Sequence, residues 1–257
     1  MCTIIFSYQQ HPQYQLILAA NRDEFYTRET KVLDYWTEYP GILAGKDEVG
    51  GGTWIGVSKE GRWSAITNYR VPFAQLKADG KSRGKLTLDF LTTQQDTETY
   101  LRNVMLEDDL YNGYNLLLGT QKSLAYYSNV EKKLKKLSTG VYGLSNHLLN
   151  TAWFKSEKGV KGLQEVTENE GFNPYHLFDV LRDNEKAPEN RLPDTSVPKD
   201  WELQLSSIFI DIPERGYGTC CSTVLLIDYA QNVRFIEKSY APQNEGIVKD
   251  FSFMGAK

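Results

Sequence analysis

Directly behind the initiator methionine stands Cys2. Removal of Met1 leaves that cysteine with a free α-amine of pKa about 8, close to physiological pH and within reach of its own thiol. The amine can take the thiol proton, directly or through water, and later return it to a leaving group, so one residue supplies both nucleophile and base. The small side chain at position two permits aminopeptidase processing. The competing reading is a small apolar residue at a strand start, because free cysteine is among the most buried residue types.

The second chemical cluster is Asn21-Arg22-Asp23-Glu24, packed behind an apolar run. Charge clusters usually end as solvated turns, but topology argues otherwise. Residues 2–8 (CTIIFSY) and 14–20 (YQLILAA) both read as strands apolar on two faces, and QQHPQ between them carries a turn-favouring proline. A hairpin turning near His11 and Pro12 returns the chain to its starting end, so residues 21–24 are expected beside Cys2. There Arg22 suits a substrate carboxylate or phosphate, or the thiolate. Asp23 suits the α-amine, and Asn21 and Glu24 arrive with them as substrate-binding candidates. Asn68 and Asn146 each end an expected strand, where a side-chain amide can donate to charge developing on a carbonyl. Asparagine is also an ordinary turn residue.

The elements that must position these residues fall into groups. Strands are expected in GILAG, TWIGVS and RWSAITN, then in GYNLLLG, SLAYYSN and VYGLSN, and finally in LSSIFID, CSTVLLIDY and VRFIEKSY. Between them lie helical patterns: two helices within 82–105, broken near 94–97, and one each in 153–168 and 174–184. The proline-rich stretch 185–199 reads as an exposed loop. GGGTWIGVS lacks the Lys-Ser/Thr of a phosphate loop and leads into a strand, so its glycines read as a tight or bulged start to that strand, with backbone approach to a ligand as the alternative. Strand, helix and strand groups with two-faced apolar strands imply an α+β protein, a four-layer αββα sandwich of two mostly antiparallel sheets in a single domain over 1–257.

Composition narrows the classes. A formal net charge of −4 and no basic stripe interleaved with aromatics argue against nucleic acid as a partner. No signal peptide and no apolar run of spanning length is seen, so a cytoplasmic protein without integral membrane association is expected. The three cysteines make neither a disulfide framework nor a metal-ligand spacing, and no metal is expected. In Cys220-Cys221, alternation along a strand is expected to turn one thiol inward and the other outward.

These residues assemble into a familiar order. MCT, AANRDEFYTR, GGTWIGV, SRGKL, YNGYNLLLG, GLSN and LPDTSVP through YGT and STVLLID follow one another as in the NRDE family, the family of transport and Golgi organisation protein 2. The resemblance spans nearly the whole chain. That family is similar to N-terminal-nucleophile hydrolases of αββα fold, among which the bile-salt hydrolase and penicillin V acylase group also begins Met-Cys-Thr. The resemblance implies Cys2 as nucleophile, Asp23 as the aspartate after the second strand, and Asn68 and Asn146 as oxyanion residues. It also exposes departures. The arginine of those hydrolases falls on Ala20, leaving Arg22 as a displaced substitute. The arginine that commonly follows YGT is Cys220 here, leaving Arg215 to reach in.

Two functions follow. One is an N-terminal-nucleophile cysteine amidohydrolase that acts on an amide or ester of a small acyl compound and needs no cofactor. The other, implied by the family, is a haem or acyl-CoA/lipid binding and trafficking protein using the same pocket, with His147 as axial-ligand candidate. In both, the partner is a small-molecule substrate or ligand.

Overall fold

The computed structural model describes residues 2–255, the side chain of Phe73 excepted. Strands β1 (Cys2–Tyr8) and β2 (Tyr14–Phe25) form the hairpin, followed by β3 (Thr30–Tyr35), β4 (Ile42–Asp47), β5 (Ile55–Ser58) and β6 (Trp63–Asn68). Helices α1 (Gly84–Thr92) and α2 (Thr97–Met105) precede β7 (Tyr114–Gly119), β8 (Leu124–Ser128), β9 (Lys133–Lys136) and β10 (Gly140–Leu144). Then come α3 (Phe154–Glu168), α4 (His176–Leu181), α5 (Lys199–Gln204), β11 (Asp211–Ile212), β12 (Tyr217–Asp228), β13 (Asn232–Ser239) and β14 (Val248–Met254).

The strands form two antiparallel sheets, one ordered β10-β1-β2-β12-β13-β14 with β11 against β12, the other running β3 to β9 in sequence order. Between the sheets lies one apolar layer, including Ile4, Phe6 and Leu18 from the first and Leu43, Val57 and Leu117 from the second. A second layer, including Ile5, Ile17, Leu163 and Leu177, joins the first sheet to α3 and α4. A third, including Phe90, Leu101 and Leu116, joins α1 and α2 to the second sheet. The fold is therefore the expected αββα sandwich, and covering both faces explains why β1, β2 and β12 are apolar on alternate and intervening residues alike. The break between the first two helices is real: Asp96 caps α2 by accepting from the main-chain N–H groups of Glu98 and Thr99, both at 3.0 Å.

Three expectations need correction. LSSIFID is not a strand; only Asp211 and Ile212 pair, and Ile210 instead receives its hydrogen bond from the Thr219 main chain at 2.8 Å. The second strand does not end at Ala20, because β2 runs on through the NRDE cluster to Phe25. Cys220 and Cys221 do not face opposite ways into core and solvent, since a register shift occurs between Thr219 and Cys221 and both thiols are buried.

Candidate active site

Cys2 opens β1 directly opposite Arg22 of β2, and Arg22 on its other side faces Cys221 of β12. Strand alternation divides the local residues. Ile4 and Ala20 belong to the layer between the sheets, so Cys2 and Arg22, two positions on, share that face. Ile5 and Ala19 belong to the helix-side layer, so Thr3, Asn21 and Asp23 share the other. The hairpin thus delivers the charged cluster to the Cys2 end, as expected.

Cys2 borders a cavity of about 490 Å³ whose wall includes Arg22, Asp23, Glu24, Asn68 and Arg83. Gly50 and Thr53, from the glycine loop, and Gly84, at the start of α1, border it too. That loop does need glycine. A Cβ on Gly52 would lie 2.3 Å from the main-chain carbon of Gly84, and Gly51 has a φ of +66°.

Arg22 is held from two sides, by the Asp47 carboxylate at 3.7 Å and by the Trp54 ring, 4.5 Å from guanidinium to centroid. Asp47 also accepts from Arg28 Nε at 2.8 Å. Asp23 is fully buried; its Oδ1 accepts from the Thr219 hydroxyl at 2.8 Å and its main-chain carbonyl from the Tyr217 hydroxyl at 3.3 Å. Burial pushes the Asp23 carboxyl up, against the pull of Lys155, Thr219 and Arg22. Burial likewise raises the Cys2 thiol, while the charges of Asp23 and Arg22 act in opposite directions on it.

The two asparagines meet. Asn146 donates its side-chain amide to the Asn68 main-chain carbonyl at 3.0 Å, and the hydroxyl of neighbouring Ser145 donates to the Cys2 carbonyl at 3.2 Å. The side chain of Asn68 makes no hydrogen bond among the described residues and borders the cavity, so its amide protons remain for a ligand. Glu24 lines the same wall, bonded to its neighbour Phe25 N at 2.9 Å and 4.0 Å from Arg28.

Three candidates lie elsewhere. Asn21 donates to the Leu181 and Ile208 carbonyls at 2.8 and 2.9 Å and accepts from Ser222, so it ties the sheet to the helix layer and does not line the cavity. Arg215 pairs with Asp200 and stacks on Trp201 at 4.3 Å, so it does not substitute for the missing arginine. His147 is bonded to the Thr151 hydroxyl at 2.8 Å, lies against Tyr69 and Trp153, and does not line the cavity. With no histidine on this wall, the site offers a haem iron no imidazole.

Sequence reasoning passed over two cations. Arg83, in the SRGKL segment, lines the cavity and is anchored through Nη1 to the Gly113 carbonyl at 3.1 Å. Lys155, in the first turn of α3, is 1 % exposed. The cavity continues into an apolar groove of about 180 Å³ that shares Glu24, Asn68 and Arg83 and adds Phe25, Trp201 and Tyr217.

The chain matches the family described as Transport and Golgi organisation 2 over residues 1–242. It belongs to that family. It is 40% identical to the human Transport and Golgi organization protein 2 homolog, with 93% of each chain covered. To Transport and Golgi organization protein 2 of Drosophila melanogaster it is 28% identical, over 93% of this chain and 92% of the other. Among solved structures, the Caenorhabditis elegans ortholog of N-acylethanolamine-hydrolyzing acid amidase superposes with a TM-score of 0.51 at 11% identity, over 88% of this chain and 92% of that one. This likeness concerns the fold alone, which this Transport and Golgi organisation 2 family member shares with that amidase.

Proposed function

We propose that the protein is an N-terminal-nucleophile cysteine hydrolase acting on an amide or ester of a small acyl compound, with Cys2 as nucleophile once Met1 is removed. The observation that carries this reading is the register of Cys2 against Arg22 at the wall of a cavity that also holds Asp23 and Asn68.

In this mechanism the α-amine of Cys2 takes the thiol proton and the thiolate attacks the substrate carbonyl. The carbon–sulfur bond forms as the carbonyl electrons move onto oxygen, where the Asn68 amide donates to them and Asn146 fixes the Asn68 backbone. Collapse expels the amine or alcohol, which takes the proton from the α-ammonium. Water, activated by the amine, then cleaves the thioester and releases the acid. Asp23 orients the α-amine, and Arg22, bordering the cavity, neutralises negative charge at sulfur or on the substrate. The solved amidase is named for hydrolysing an N-acylethanolamine, and this chain, sharing its fold, is assigned the same reaction class.

The test is the intact mass of tag-free protein, followed by incubation with acyl amides and esters. Loss of Met1, with turnover that disappears in Cys2→Ala, is the expected result. Retention of Met1, or undiminished turnover by Cys2→Ala, overturns the assignment.

The binding alternative draws on one observation, the apolar groove beside Trp201 and Tyr217, which suits an acyl chain. Saturable acyl-CoA binding by Cys2→Ala, with no turnover by the wild type, would favour it.

A further inference from the structure

Lys155 is out of place by two ordinary rules. It sits in the first turn of α3, where the helix dipole disfavours a cation, and it is buried to 1 % exposure. Its Nζ has no hydrogen-bond partner among the described residues, although a buried ammonium without one carries a large desolvation cost. Buried orphans of this kind call for an explanation outside packing.

Its location supplies one. Gly159, one helical turn on, packs so tightly on β1 that a Cβ there would lie 2.9 Å from Ile5. Lys155 is therefore displaced from Ile5 by one turn along the helix axis, and Asp23 is the strongest charge acting to keep it protonated, with Cys2 and Glu202 adding to it and Arg70 opposing. Lys155 is in turn the foremost charge that favours the ionised form of Asp23. Thr3, on the same face of β1, has a buried hydroxyl that also lacks a partner. Lys155 and Arg70 further border a void of about 10 Å³, large enough for one water.

We propose that Lys155 is the buried counter-cation of the catalytic end of the first sheet, a positioning residue that keeps Asp23 a carboxylate and favours negative charge on the Cys2 sulfur. The inference rests on the nucleophile reading of Cys2. It bears on the departures at Ala20 and Cys220: beside Arg22 of β2, a second positive charge enters from the helix layer. The other charged and titratable groups facing this end are Arg22 and Glu24 of β2, Arg70 after β6, Arg83 before α1, Glu202 of α5, and Tyr217, Cys220 and Cys221 of β12. None of these changes in the comparison below.

The experiment is the pH dependence of iodoacetamide alkylation of Cys2, read by mass on the N-terminal peptide, in wild type, Lys155→Met and Lys155→Arg. Lys155→Met is expected to lower the alkylation rate at neutral pH about tenfold by moving the thiol midpoint upward about one unit, and Lys155→Arg to restore it. A folded Lys155→Met with the wild-type midpoint overturns the proposal when Asp23→Asn/Lys155→Met also keeps the midpoint of Asp23→Asn, the pair in which loss of the Asp23 charge cannot offset loss of the lysine. Should Lys155→Met fail to fold, the comparison moves to Asp23→Asn against Asp23→Asn/Lys155→Gln, which removes both buried charges together. An upward shift of the midpoint on removing the lysine supports the proposal, and unchanged midpoints overturn it. Because the readout needs no substrate, it separates the two ideas. Retained Met1 would sink the nucleophile reading, while the midpoints would still score Lys155.

Discussion

The side-chain amide of Asn146 donates to the main-chain carbonyl of Asn68 at 3.0 Å, so the two asparagines of the site are joined before any ligand arrives. Their consequences on mutation differ. Asn68→Ala removes an amide with no protein partner and should lower kcat by about 10²–10³-fold with little change in stability. Asn146→Ala should cost activity and also about 1–3 kcal/mol, because it leaves the Asn68 carbonyl without its donor. Urea unfolding beside turnover checks both; equal stability loss in the two variants contradicts the division of labour.

The glycine loop gives a second test. On Gly52 a Cβ would stand 2.3 Å from the carbon and 2.5 Å from the oxygen of Gly84, and neither backbone can yield as a side chain would. Gly52→Ala is expected to push the loop from the start of α1, costing about 1–3 kcal/mol. Because Gly50, Thr53 and Gly84 border the cavity, KM should rise while Cys2 alkylation stays near wild type. A KM that does not change would show that the loop shapes nothing a substrate touches.

Much of this arrangement was legible in the sequence, for identifiable physical reasons. Two-faced apolar strands imply covered sheets, and a short hairpin must return its end to its beginning, so residues 21–24 could be expected at the Cys2 end from the sequence alone, although Asn21 turns to the helix layer. What escaped had no contrast to read. The unrecognised strands β3, β9 and β14 carry charges and are exposed or half-buried along nearly all their length, the composition with which sheet margins resist further pairing. The extension of β2 through Asn21–Phe25 runs against strand propensity, and neighbouring β12 sustains it by pairing along its length. Lys155 shares its helix with Lys158 and Lys161, whose side chains reach solvent; nothing in that pattern marks the first of the three as buried.

Arg70 and Glu202 form a buried ion pair behind the cavity, with Thr195 also donating to Glu202 and the Trp153 ring 4.8 Å from the guanidinium. Removing one member strands the other. Arg70→Met should destabilise by about 3–5 kcal/mol, and Arg70→Met/Glu202→Leu should recover a large part of that loss. Thermal unfolding of the three proteins tests this. A double variant no more stable than Arg70→Met would show that the arginine acts through packing on Trp153 instead.

Glu237 of β13 crosses between the sheets, its Oε1 accepting from the Leu33 main chain of β3 at 2.7 Å. Burial pushes its carboxyl up to about 7, against the opposing pull of the Leu33 N–H, Cys221 and Arg22. A folded-state value above the unfolded value means that folding favours the protonated form. The resulting stability is fully present below about 4.5 and is lost as pH rises through about 7. Glu237→Gln keeps an oxygen for the Leu33 N–H but cannot ionise. The stability of wild type relative to Glu237→Gln should therefore fall by on the order of 2–3 kcal/mol between about pH 4 and pH 8. Urea midpoints of the two proteins across that window decide it. Parallel curves would mean that Glu237 titrates in the folded protein as it does in the unfolded chain, with Arg22 and the Leu33 N–H offsetting its burial.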